Sequence, residues 1–126
     1  MAAAIVRQGR LLVVSKRAAP DVFYLPGGKP DAGEGPLDAL TRELDEELGV
    51  APRRPRLLAR IDSVAVLEKV PMRLTLFEAH IDRPPRPAAE LADMRWISGH
   101  ESGIRLAPAV TDHVLPLLRQ AGSMAP

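Results

Sequence analysis

Glu43, Glu46 and Glu47 fall within five consecutive positions of a 126-residue chain. On a helix, spacings of three and four residues stack like charges and weaken the helix unless water or a cation lies among them. Three carboxylates on one rigid element offer hard oxygen donors of the kind that suit Mg²⁺ or Mn²⁺. Such a cation would cancel the repulsion, lower the pKa of a bound water and grip phosphate oxygens. Arg42, next to Glu43 and four residues before Glu46, can hold a carboxylate with two parallel hydrogen bonds and fix its rotamer. The run RELDEELG is also the ordinary solvated face of a surface helix. What surrounds it has to decide between the two readings.

The spacing predicts a helix over Pro36–Leu48, with Leu37, Leu40, Leu44 and Leu48 as one apolar stripe, Pro36 in the first turn and Gly49 as the stop. Glu43 and Glu47 then lie along one flank of the stripe and Glu46 further round, so all three can face one point at its edge. Upstream, AAAIVRQGRLLVVSKR reads as two strands about a Gln8-Gly9 turn, with Leu11–Val14 a buried strand. Pro20 and Asp21 open a loop, Val22–Leu25 form a short strand, and Pro26-Gly27-Gly28 end it. Downstream, the segment from Pro52 begins as a loop and becomes a strand running to Val66. Met72–Ile81 alternates as another strand, Asp82–Asp93 is a proline-rich loop, and Met94–Ile97 is a short strand. Ala107–Gly122 is a terminal helix kinked by Pro116. Strands, helix, strands and helix imply one sheet with helices packed on it, in a single domain over residues 1–126.

The upstream loop makes the carboxylates specific. Gly28, five residues, Glu34, seven residues, then Arg42, Glu43, Leu44, Asp45, Glu46, Glu47, Leu48, Gly49 and Val50 fill every specified position of the Nudix box. The chain resembles a Nudix hydrolase of the compact MutT-like kind. The resemblance implies an α/β fold, an α/β/α sandwich with a mixed β-sheet between helices. It implies that Glu43, Glu46 and Glu47 hold Mg²⁺ (or Mn²⁺), with Glu43 also resembling a residue given a base or metal-assisting role. It further implies that the Gly27 carbonyl is a backbone metal ligand, that Glu34 supports the helix or a further metal, and that Arg42 orients carboxylates. Glu90, in the proline-rich loop, resembles the downstream glutamate brought to the metal or its water, with Asp93 a weaker candidate. The implied reaction is hydrolysis of a nucleoside diphosphate linked to another group.

The remaining residues are candidates on their own chemistry. Lys29, Lys16 and Arg17 offer positive charge near the glycines, and Arg73 alternates on its strand so as to reach phosphate. Phe23 and Tyr24 either line a nucleoside pocket or pack in the core, and Trp96 is core or a stacking platform. His80, His100 and His113 lack metal-ligand spacing. A net charge of +1 gives no reason to expect a nucleic-acid polymer as partner, and the absence of cysteine excludes disulfides and zinc–thiolate sites. The opening MAAAIVRQGR is not a signal peptide and no segment is long enough to span a bilayer, so cytoplasm and no membrane partner are expected. A monomer or homodimer is expected. The leading expectation is a (deoxy)nucleoside triphosphate pyrophosphohydrolase releasing monophosphate and pyrophosphate. An ADP-ribose or dinucleotide pyrophosphatase is the alternative, and an inactive nucleotide-binding module is the reading from another class.

Overall fold

A computed structural model describes residues 1–64 and 71–126. The elements are β1 (Ala2–Ala4), β2 (Val6–Arg7), β3 (Arg10–Lys16), β4 (Ala19–Tyr24), α1 (Pro36–Leu48), β5 (Pro52–Val64), β6 (Pro71–Ile81), β7 (Leu91–Ile97) and β8 (Arg105–Leu106). A π-helical turn (Val110–Val114) then runs into α2 (Leu115–Gln120).

Pairing is mixed. β6 lies between β1, which is parallel to it, and β5, which is antiparallel. β3 pairs antiparallel with β7 along one edge and with β2 and then β4 along the other, and β8 adds parallel to β4. Ala2 bridges to Gly27, and the Ala3 N–H donates to the Pro26 carbonyl at 3.0 Å, which joins β1 to the loop after β4. The run Leu11–Val14 is buried throughout because both faces of its strand are covered. Leu11 and Val13 pack with Val110, Val114, Leu115 and Leu118 of the C-terminal helical segment. Leu12 and Val14 pack with Leu40, Leu44 and Leu48 of α1. This is the expected α/β/α sandwich, with a mixed sheet between helices.

α1 has the expected bounds, with Pro36 at its start and Gly49 left-handed (φ 66°) at its end. The stripe is shorter than its spacing suggests. Leu40, Leu44 and Leu48 are buried, but Leu37 is 43% exposed, because the first turn runs past the packed face. Pro20 and Asp21 belong to β4 rather than a loop. The β3–β4 reversal falls at Arg17-Ala18, and Pro20 sits in a register shift where no ladder N–H is required. β5 is extended from Pro52 onward, with register shifts about Arg54 (φ 50°) that accommodate Pro55. The end of that expected strand, Ala65–Val66, lies outside the described residues. β7 begins at Leu91, so the proline-rich loop ends at Glu90. Pro116 has no N–H to give. The wide turn before it, in which the Leu115 N–H reaches the Val110 carbonyl, takes up the disruption.

Candidate functional site

The three glutamates of α1 form a burial gradient. Glu47 is 2% exposed, whereas the side chains of Glu43 and Glu46 are 14% and 53% exposed. Glu47 sits on the sheet-facing side because α1 lies with that flank against β1 and the glycine loop. The Gly27 N–H donates to Glu47 Oε1 at 3.0 Å. The loop has to come this close without side chains. Gly27 has φ 149°, and a Cβ there would collide with the backbone of Met1 and Ala2. A Cβ on Gly28 would lie 2.6 Å from the Glu43 carboxylate.

Arg42 organises the outer side. Its Nε and Nη2 donate to the two oxygens of Glu34 at 2.9 and 2.8 Å, and its Nη1 donates to Glu43 Oε1 at 3.0 Å. It also donates to the Lys29 carbonyl at 3.3 Å and lies 3.5 Å from Glu46 and 3.3 Å from Asp31. The Arg42 guanidinium, helped by the Asp31 N–H, holds the Glu34 carboxyl down at about 2. Both Glu34 oxygens accept hydrogen bonds, from Arg42 and from the Asp31 N–H, which ties the loop to α1.

Burial pushes the Glu47 carboxyl up to about 7. The Gly27 N–H opposes the rise, the charges of Glu43 and Glu90 add to it, and Lys16 opposes it. Glu90 is brought here by a strap. The Arg86 and Ala88 N–H groups donate to the Leu48 and Glu47 carbonyls at 3.1 and 2.8 Å, filling acceptors that the end of α1 leaves open. After Ala89 (φ 53°), the Glu90 carbonyl accepts from the Arg17 N–H at 2.9 Å. The Glu90 carboxylate lies 3.8 Å from Lys16 Nζ.

The other candidates are dispersed. Phe23 is buried on the far side of the sheet, in the cluster around the C-terminal helix, with the Arg95 guanidinium 5.0 Å above its ring. Arg73 is exposed and pairs with Asp62 at 3.1 Å. Asp93 is turned to the Met94 N–H and to Arg95. Trp96 is partly buried against the α1-side cluster, with Arg7 5.2 Å from its ring. Lys29 and Arg17 are exposed beside the loop and beside Glu90 respectively. His80, His100 and His113 are all exposed. Lys16 is more central than its sequence suggests. Strand register alone brings it to Glu90, and no local motif marks it.

Among the described residues, no group of three or more Asp, Glu, His or Cys side chains converges to hold a metal ion. The expectation that Glu43, Glu46 and Glu47 meet at one point is therefore not met, because Glu43 and Glu46 are drawn outward to Arg42. The donor chemistry still fits a hard cation. It consists of carboxylate oxygens only, one of them buried among like charges, with Glu46 held by a single long ion pair.

Residues 1–118 match the NUDIX domain model, and the chain belongs to that family. Its likeness is to the MutT branch among others. The crystal structure of MutT NUDIX hydrolase from Burkholderia pseudomallei is 32% identical, with a TM-score of 0.74 over 86% of this chain and 88% of that one. An RNA pyrophosphohydrolase of Psychrobacter sp. (strain PRwf-1) is 48% identical over 56 residues, 44% of this chain and 32% of the relative. An 8-oxo-dGTP diphosphatase of Haemophilus influenzae is 38% identical over 65 residues, 48% of each chain. The chain thus spans about a third to a half of the length of these two curated relatives. Among the described residues, no helix is long and apolar enough to cross a membrane.

Proposed function

We propose that the chain is a single-domain hydrolase that cleaves a phosphoanhydride bond in a nucleotide with the help of Mg²⁺ or Mn²⁺. A (deoxy)nucleoside triphosphate, split to monophosphate and pyrophosphate, is the leading substrate. The observation that carries this reading is Glu47, a carboxylate buried against the Gly27 N–H with Glu43 and Glu90 as charged neighbours. Strongly perturbed carboxylates gather at functional sites, and a bound cation would compensate this one.

Glu47, Glu43, Glu46 and the Gly27 carbonyl would hold the cation, which when bound supplies neutralisation of phosphate charge and a more acidic water. Arg42 keeps Glu43 and the Glu34 loop in place while that happens. Lys29, exposed on the loop, and Arg17, exposed after the end of β3, would meet phosphate oxygens. Glu90, fixed by the strap, would take the proton of the water that attacks phosphorus as the bond to the leaving phosphate breaks. The MutT and 8-oxo-dGTP diphosphatase relatives support a triphosphate. The relatives named RNA pyrophosphohydrolase favour a second reading, the 5′-polyphosphate end of an RNA. Cytoplasmic location belongs to both readings.

The test is a screen of purified protein against nucleoside triphosphates, ADP-ribose, diadenosine polyphosphates, nucleotide sugars and a short 5′-triphosphorylated RNA, with Mg²⁺, with Mn²⁺ and with excess chelator. Metal-dependent hydrolysis of one class is expected, with pyrophosphate released where that class is a nucleoside triphosphate or the triphosphorylated RNA. Turnover undiminished in chelator would refute the metal role, and no turnover of any class would leave a nucleotide-binding module.

A further inference from the structure

We propose that β5 is a binding track for single-stranded RNA, in which Arg60, Arg54 and Arg53 meet the phosphodiesters that follow a 5′-polyphosphate end seated at the glycine loop. The inference rests on the second reading above, the 5′-polyphosphate end of an RNA, and gives the rest of that RNA a place on the protein.

The net charge of +1 conceals a separation of charge. α1 carries Asp38, Glu43, Asp45, Glu46 and Glu47 against Arg42 alone, whereas residues 52–61 hold four arginines and no acidic residue. Arg56 is paired with Glu78 at 2.8 Å. The guanidinium groups of Arg53, Arg54 and Arg60 are exposed and, among the described residues, have no carboxylate or hydrogen-bond partner. Among the described residues, β5 has β6 on one side only, so its other edge is open. An open edge can be protected by charge of either sign, but only one sign is present along this stretch. Arg54 is left-handed at φ 50° inside a register shift, and such a bulge re-aims a side chain.

Strand register ties this edge to the site. The Gly28 N–H donates to the Met1 carbonyl at 3.0 Å. Ala2 and Ala3 pair in parallel with Leu76 and Phe77, so Met1 comes beside Thr75, and Thr75 pairs with Arg60. Three steps of about 4.8 Å put the Arg60 backbone about 14 Å from Gly28. That exceeds the length of a triphosphate chain and suits a phosphodiester further along. The faces agree as well. Leu74, Leu76 and Ile61 are buried toward the C-terminal helical segment, so alternation turns Thr75 and Arg60 to the α1 side, where Glu43 and Glu47 stand. Leu57, opposite Phe77 on the same face, is 46% exposed and offers a base an apolar surface. Arg54 and Arg53 continue the row of cations beyond it. Acidic α1 repels a polyanion, and these arginines supply attraction where no carboxylate competes.

Binding of a short single-stranded RNA with a 5′-triphosphate and a 3′ fluorophore is measured by fluorescence anisotropy in chelator, over a range of salt concentrations. Each phosphate contact on a single strand contributes about −0.7 to the slope of log K against log salt, so wild type should show about −2. Arg60→Gln should be shallower by about 0.7, and the triple variant Arg53→Gln/Arg54→Gln/Arg60→Gln should lose nearly the whole slope. In 0.1 M salt these changes amount to about fivefold and about a hundredfold weaker binding. Arg60→Lys should restore most of the slope. Arg10→Gln, which removes one exposed charge at the start of β3, should leave it unchanged. The altered side chains are all exposed, so thermal melts should coincide. With Mg²⁺, kcat/KM for the RNA should fall in the triple variant, and that for a free nucleoside triphosphate should not. Equal slopes for wild type and the triple variant overturn the proposal, as does an equal loss in Arg10→Gln and Arg60→Gln. A wild type that cleaves the RNA, beside a triple variant with the same kcat/KM, overturns this proposal alone. A wild type that cleaves nucleoside triphosphates but neither binds nor cleaves the RNA overturns this proposal and the second reading together.

Discussion

Glu47→Gln should make the metal-free protein more stable at neutral and alkaline pH, by an amount that depends on pH in a defined way. The Glu47 carboxyl is pushed up to about 7 by burial, from an ordinary 4.5. A carboxyl raised on folding favours the folded state while protonated, and that advantage is lost as pH rises from the unfolded value through the folded one. Stability in chelator should therefore fall between about pH 4.5 and 7 and level off above. At 1.36 kcal/mol per unit, the shift corresponds to about 3 kcal/mol at most. Glutamine matches the protonated acid in shape and keeps an oxygen for the Gly27 N–H, so the variant should equal wild type near pH 4.5 and exceed it at pH 8. With an unfolding entropy of about 2.1 cal/mol/K per residue, 3 kcal/mol is a gap of roughly 10 °C in Tm.

The assay is a set of thermal melts by circular dichroism from pH 4.5 to 8.5, in excess chelator, for both proteins. The comparison matters because other groups titrate. Glu34 and Asp82 are held at about 2 by Arg42 and Arg83, and Glu101, against its partial burial, by the Ser98 N–H, so their contributions change only at lower pH. The Met1 amine is held below its ordinary value by burial, and subtraction of the variant removes it. Saturating Mg²⁺ or Mn²⁺ should close most of that gap. A ligand at 100 times its Kd stabilises by about 2.7 kcal/mol, and the variant should forfeit most of that. Parallel pH profiles in chelator would refute the account of Glu47 as an uncompensated buried acid. Equal metal stabilisation would refute it as a ligand.

The two glycines should fail differently. Gly27→Ala drives a Cβ into the Met1 backbone and should destabilise by about 1–3 kcal/mol, seen as a lower Tm. Gly28→Ala meets only the movable end of Glu43, so Tm should hardly change while kcat falls, and a large Tm loss there would contradict the geometry. Glu90→Gln should lower kcat roughly 10²- to 10⁴-fold with little effect on KM. A raised KM with normal kcat would move Glu90 to substrate recognition. Arg42→Lys cannot reproduce the two-pronged grip on Glu34 and should reduce turnover despite keeping the charge, and full activity would show that position alone suffices.

α1 was legible in the sequence because its signals are local: a proline at the start, a glycine at the stop, leucines at helical spacing and the Gly28–Val50 pattern of fixed residues. The burial of Leu11–Val14 was legible for the same reason. What spacing could not give was extent. Leu37 belongs to the stripe by angle yet lies beyond the sheet, and only packing decides that. Pro20 and Pro55 suggested loops, but irregular register lets strands tolerate them. The outward turn of Glu43 and Glu46 was hidden because rotamers follow partners, and the Arg42 web is assembled from residues 29–46. Lys16 was hidden because its neighbour Glu90 is 74 positions away, joined to it only by β3–β7 pairing.

That non-local pairing says why one flank of α1 can carry so much charge. The helix is anchored by Leu40, Leu44 and Leu48 in the core and by two strap N–H groups at its end, so the glutamates are not what holds it in place. Repulsion among Glu43, Glu46, Glu47 and Glu90 can then be left partly unresolved without unfolding the helix. An arginine grips Glu43 and Glu34 firmly, and a lysine meets the more exposed Glu90 loosely. If the site takes a cation as proposed, Glu47 beside the Gly27 N–H is where it would gain most, because burial leaves that carboxylate the least compensated of the set.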